Sequence, residues 1–193
     1  MEKGEGALSS LYEYVFQRYD QTGEKEIALQ LLTRYFQHRP SYELYKKVLS
    51  YADKSRKEAV REELYSFVSQ PRYSSIKAEI DYYEGNSKEL LDYVTRAASY
   101  AIYTRSPMYE RYLNERHPLE MVAYYKEKAE AFISQKNRKA YRHAIEYIEE
   151  IRHVYINILK QPEEWETYYT RVIVPYQHRL PAFLDEWKKR SGE

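Results

Sequence analysis

The chain has 193 residues, with 31 lysines and arginines against 30 aspartates and glutamates and a net charge of +1, which gives no general pull toward nucleic acid or an anionic membrane. It has no cysteine, so disulfides and thiolate metal sites are excluded within it, and no apolar run approaches membrane-spanning length. Only 7 prolines and 5 glycines suit long helices with short links, and 24 tyrosines against 5 phenylalanines suit a shallow core in which a ring is buried while its hydroxyl reaches water or a partner.

Residues 1–6 read as frayed, and the start MEKGEGALSS has no signal-peptide core, so the expected setting is the cytoplasm. Ala7 to Tyr19 reads as a first helix, with Leu8, Leu11, Tyr12, Val15, Phe16 and Tyr19 in phase and Gly23 ending the run. Glu24 to Gln37 follows, stopped by Arg39-Pro40. Ser41 to Ala52 carries Leu44, Tyr45, Val48 and Leu49, and Arg56 to Ser69 carries Val60, Leu64, Phe67 and Val68. Pro71 separates this from Tyr73 to Tyr83, and Gly85-Asn86 forms a turn or helix C-cap. Ser87 to Tyr103 is helical again, with Ala101 and Ile102 among its apolar positions. Arg105-Ser106-Pro107 breaks the pattern, and 107–116 is ambiguous, with room for a short helical turn. Pro118 sits where a first helical residue belongs, and Leu119 to Ser134 carries Val122, Tyr125, Ala129, Phe132 and Ile133.

Asn137 to Ile158 is the most regular stretch. Tyr141, Ala144, Ile145, Ile148, Ile151, Tyr155 and Ile158 form one apolar stripe, with Asn137 as N-cap. Arg142, Glu146, Glu149, Glu150, His153 and Asn157 fall on the opposite side. Such a helix needs a partner on each flank. Glu163 to Tyr176 places Trp165, Tyr168 and Tyr169 in phase, with Pro175 expected to kink or end it, and Leu180 to Lys189 closes the chain. No segment alternates with period two, so no strand is expected.

The pattern predicts an all-α fold of about ten helices paired by short links into antiparallel hairpins, stacked as a solenoid in which each hairpin touches its sequence neighbours. Repetition supports this. Arg39-Pro40 with Tyr45-Lys46 resembles His117-Pro118 with Tyr125-Lys126, and Lys54-Ser55-Arg56-Lys57 resembles Lys136-Asn137-Arg138-Lys139, each offset by about 80 residues. The expected organisation is one helical-repeat domain over 7–190, with sub-units 7–104 and 107–190.

Pro118 to Trp187 resembles the C-terminal helical region of SWIM zinc-finger proteins. The residues that carry the resemblance are Tyr125-Lys126, the run Arg138-Lys139-Ala140-Tyr141-Arg142-His143-Ala144, Tyr155, Trp165, Tyr168 and His178-Arg179-Leu180. Pro40-Ser41-Tyr42 and Glu84-Gly85-Asn86 are similar to a lesser degree. The resemblance implies a superhelix of the tetratricopeptide (TPR-like) type. It also implies a zinc module of the form Cys-x-Cys, Cys-x-His lying outside this chain, which itself holds no cofactor.

Chemistry-bearing constellations are sparse. Glu150-x-x-His153 has the local spacing of a carboxylate metal pair, with His143-x-x-Glu146 its mirror, but these residues lie on a polar helix face where solvated side chains are the plainer reading. No HExxH, glycine-rich phosphate loop or nucleophile signature occurs. The basic cluster Arg138, Lys139, Arg142 and His143, beside Lys136, reads either as a contact for phosphate or an acidic partner, or as a solvated corner balanced by Glu127 and Glu130. Glu149 is expected to pair with Arg152, and Lys188-Lys189-Arg190 to form a solvated edge. The tyrosine stripes read either as packing between hairpins or as a groove where Tyr42, Met121 and Tyr124 meet Lys46 and Lys128. The expectation is a non-catalytic scaffold that binds a protein or peptide segment. The alternative is an accessory nucleic-acid surface working beside a zinc module, and no membrane contact is expected.

Overall fold

Most caps and breaks cut the chain where the sequence places them, with Pro175 the exception. The computed structural model describes residues 12–19, 21–97 and 106–191, and every regular element among them is helical. Residues 1–6, Ala7, Leu8, Leu11, Ala101 and Ile102 lie outside the described residues. The chain divides after Tyr93 into two compact units.

In the first unit, helical residues 12–19 (α1) stop ahead of Gly23, whose φ of 76° favours glycine. Then come α2 (Lys25–His38), α3 (Tyr42–Tyr51), α4 (Lys57–Val68), a 3-10 turn at Pro71–Tyr73 and α5 (Ser74–Glu84), with α6 (Ser87–Ala97) crossing the division. The Ser41 side chain accepts from the Leu44 N–H at 3.2 Å and caps α3. Gly85, at φ 83°, closes α5, and the Asn86 N–H donates to the Asp81 carbonyl at 2.8 Å. Phe16, Leu29, Leu32, Phe36, Tyr45, Val48, Leu64 and Val68 share one core. Most apolar positions read from the sequence are buried; in α2, however, Ile27 is exposed and the unread Ala28 and Leu29 are buried instead.

Among the described residues of this unit, one carboxylate is buried. Asp81 is fully buried and accepts from Tyr65 Oη at 2.5 Å, Lys77 Nζ at 2.7 Å and Asn86 Nδ2 at 3.1 Å. Burial pushes the Lys77 ammonium toward neutrality, but its bonds to Asp81 and Tyr65 outweigh that, and its pKa is raised.

The second unit contains α7 (Pro107–Arg116), α8 (Pro118–Ser134), α9 (Arg138–His153), a π-helical turn at Val154–Ile158, α10 (Pro162–Tyr168), a second π turn at Tyr169–Ile173, α11 (Val174–Arg179) and α12 (Pro181–Ser191). The ambiguous stretch is thus a full helix, α7. Periodicity missed it because its buried face is Glu110, Leu113 and Asn114, two of them polar. Asn137 caps α9, its Oδ1 accepting from the Ala140 N–H at 2.9 Å.

Helices α8 and α9 form an antiparallel hairpin. Phe132 meets His143 with ring centroids 5.3 Å apart, Tyr125 meets Tyr147 at 6.0 Å, and Lys126 reaches Tyr155, so early residues of α8 face late residues of the α9 stretch. The other flank of α9 is covered by α12, with Tyr141 edge-on to Phe183 at 5.6 Å. Helix α12 belongs to the hairpin that follows α8–α9 in the chain, so this contact joins sequence-neighbouring hairpins, as expected of stacked hairpins. Pro175 does not end its helix. Its missing N–H and its clash with the carbonyl of Arg171 fall at the π turn, where the regular bonding register is already shifted, and the helix continues into α11. Among the described residues, no helix is long and apolar enough to cross a membrane.

Candidate functional site

Tyr42 and Lys46 are on the surface of the first unit. The Tyr42 ring stacks on exposed Tyr83, centroids 4.3 Å apart and planes 9° from parallel, and Lys46 Nζ lies 4.7 Å over the Tyr42 ring. Lys46 also pairs with Glu43 at 2.7 Å, and that carboxylate raises its pKa. Burial raises the Tyr42 pKa.

Met121, Tyr124 and Lys128 belong to the second unit, and two of them are not surface residues. Met121 is fully buried and Tyr124 is 4% exposed. Helix α8 also buries Val122, Tyr125, Ala129 and Ile133, so its apolar surface extends well beyond a single stripe, between α7 and α9. Half-buried Lys128 keeps its Nζ 5.7 Å from the Tyr124 ring. A groove shared by Met121 and Tyr124 is therefore replaced by core packing.

An open groove does lie beside Lys46. Its volume is about 750 Å³, between α1, α2 and α3. Its apolar walls are Tyr12, Phe16, Leu32, Tyr35 and Leu44, and its charges are Arg39, Lys46 and Lys47 with Glu13 and Glu43. Tyr12 stacks on Tyr35 at 4.7 Å, and Lys47 Nζ sits 4.2 Å over Phe16. Sequence reasoning found Lys46 and missed the rest, because Tyr12, Phe16 and Tyr35 read equally well as core stripe. The available signal was Lys46-Lys47 following a stripe tyrosine.

The basic corner is held by carboxylates. Arg138 Nη1 donates to Glu186 at 2.8 Å and Nη2 to Asp185 at 2.9 Å, while Arg142 Nε lies 3.9 Å from Glu186. His143 Nδ1 is 3.4 Å from Glu146, and Lys139 is exposed. Arg190 donates to Glu149 at 2.8 Å, and Lys189 to Glu186 at 3.2 Å. The balancing acids thus come from α12 rather than from Glu127 and Glu130. Glu149 pairs with Arg190 rather than Arg152, and the C-terminal cations are engaged rather than merely solvated. Arg138, then Lys189, holds the Glu186 carboxyl below the usual range.

Arg56, in the matching stretch of the first unit, behaves similarly, reaching Glu26 at 2.6 Å. Glu150 and His153 border a hollow of about 370 Å³ with Glu110 and Asn114, and His153 Nδ1 lies 3.0 Å from Asn157 Nδ2. Among the described residues, no three potential metal ligands gather.

The residues behind the family resemblance mostly pack. Tyr125 Oη donates to Asn114 Oδ1 at 3.0 Å. Lys126 Nζ donates to Tyr155 Oη at 2.9 Å and lies 4.7 Å over the Tyr168 ring. Ala140, Tyr141, Ala144 and Trp165 are buried, and burial raises the Tyr168 pKa. Such residues specify an architecture more than an activity. No protein-family model matches the chain, and comparison with curated proteins and with solved structures gives no match either.

Proposed function

We propose that the chain is a non-catalytic protein–protein interaction scaffold, working in the cytoplasm as the TPR-like helical part of a SWIM zinc-finger type of protein. The zinc module of that reading lies outside this chain, and the chain itself holds no cofactor. Its contact face is the α3 side of the first unit. The observation that carries the reading is the groove beside Lys46, an aromatic-walled trough with cations at its rim. Apolar walls with a few placed charges suit a protein segment, which brings side chains to bury and carboxylates to pair. The resemblance in the second unit supports the architecture, since its residues form that unit's packing.

The test is a pull-down from cell extract with the wild-type chain and with a Tyr42→Ala, Lys46→Glu double variant, alongside a DNA titration at two salt concentrations. The scaffold reading expects proteins captured by the wild type and lost in the variant, with micromolar affinity in order of magnitude for so small an interface. Tight DNA binding that weakens steeply with salt, with no protein lost in the variant, overturns it in favour of a nucleic-acid surface.

A further inference from the structure

We infer that the groove between α1, α2 and α3 takes a short acidic segment built around one aromatic or aliphatic anchor. This rests on the scaffold reading and names its partner's chemistry. A volume of about 750 Å³ is the size of a drug-sized ligand site, so it holds a few side chains rather than a whole helix. The anchor's place is set by Phe16, Tyr35 and Leu44, which line the groove from three different helices.

Charge fixes the flanks. Lys46 and Lys47 line the groove from α3, with Arg39 at the corner leading into it, while α1 contributes the carboxylate Glu13. Glu43, the remaining charge on the α3 side, is tied to Lys46 at 2.7 Å. That pair is exposed on both sides, and exposed pairs contribute little, so Lys46 exchanges Glu43 for an incoming carboxylate at small cost. Lys47 lies over the Phe16 ring, placing an ammonium directly beside the anchor's landing point. An acidic residue next to the anchor therefore meets Lys47 while the anchor packs on Tyr35 and Leu44. Glu13, contributed by α1, gives the site a direction, with the segment's acidic side toward the lysines of α3.

The experiment is a display library of random short peptides selected against the full chain. The expected result is enrichment of Asp or Glu beside Phe, Leu, Trp or Tyr. A synthetic peptide of the enriched consensus then binds a Lys46→Glu, Lys47→Glu variant about tenfold more weakly or worse. Both lysines are on a helix surface, and circular dichroism checks that the variant is folded. Enriched peptides without acidic residues, or binding unchanged in the variant, overturn the inference while leaving the scaffold reading in place. An empty selection overturns it too, while the scaffold reading stands or falls separately, on the pull-down and the DNA titration.

Discussion

The same dipeptide has different fates in the two units. Tyr45-Lys46 and Tyr125-Lys126 both place a fully buried tyrosine before a lysine. Lys46 stays at the surface, against Glu43 and the Tyr42 ring. Lys126 is drawn inward, bonded to Tyr155 and lying over Tyr168. The tyrosine's burial follows from its place in an apolar stripe, which every packed helix shares. The lysine's position depends on whether a later element covers that side of the helix. In the second unit the π turn after α9 and the end of α10 supply Tyr155 and Tyr168. In the first unit the corresponding stretch of α3 borders Tyr42 and the groove. A cation near a surface aromatic is thus available for binding in one unit and is part of the packing in the other.

The largest expected effect comes from loosening the covered unit alone. Phe183 is fully buried, edge-on to Tyr141 and 6.1 Å from Trp187. Phe183→Ala should cost about 3–5 kcal/mol, read by urea denaturation. Loss of stability with peptide binding at the groove intact would sharpen the contrast. A variant as stable as wild type would mean that α12 does not cover α9 in solution.

A smaller loss is expected from Asp81, the buried carboxylate among the described residues of the first unit. Asp81→Ala leaves Tyr65, Lys77 and Asn86 without their shared acceptor and should cost about 3 kcal/mol. Asp81→Asn should recover part of it, because an amide oxygen still accepts from Tyr65. Equal losses in the two variants would show that charge, rather than acceptor geometry, holds this network together.

Most of the fold was legible because helix boundaries have local causes. Ser41, Gly85 and Asn137 act through their own backbone and near neighbours, so their roles can be read without a structure. Two things were not legible. Helix α7 hides its inward face behind Glu110 and Asn114, whose burial depends on partners such as Tyr125, eleven residues further along the chain. The basic corner looked available for a ligand because Asp185 and Glu186 lie 47 and 48 residues from Arg138. The candidate site fared worse than the fold for the same reason. Tyr42, Tyr124 and Met121 occupy similar sequence patterns, and only tertiary packing separates a surface ring from a core one.

The smallest effect concerns the link between α9 and α12. Arg138 donates to both Asp185 and Glu186, yet its side chain is 53% exposed, and ion pairs of that kind contribute little. Arg138→Ala should lower the melting midpoint by about one or two degrees at low salt, and by nothing measurable at roughly 1 M salt. The pH dependence has a definite sign. Arg138 and Lys189 lower the folded pKa of Glu186, so its contribution is complete above the ordinary carboxylate pKa. It is lost as pH falls through the lower folded value. The indole N–H resonance of Trp187, one residue from Glu186 on α12, reports this locally. In the wild type it should hold its position until pH drops below the usual carboxylate range, and in Arg138→Ala it should move at higher pH. Identical titrations in the two proteins would mean that Arg138 does not hold the Glu186 carboxylate in solution, leaving Phe183 and the Arg190–Glu149 pair to keep α12 on α9.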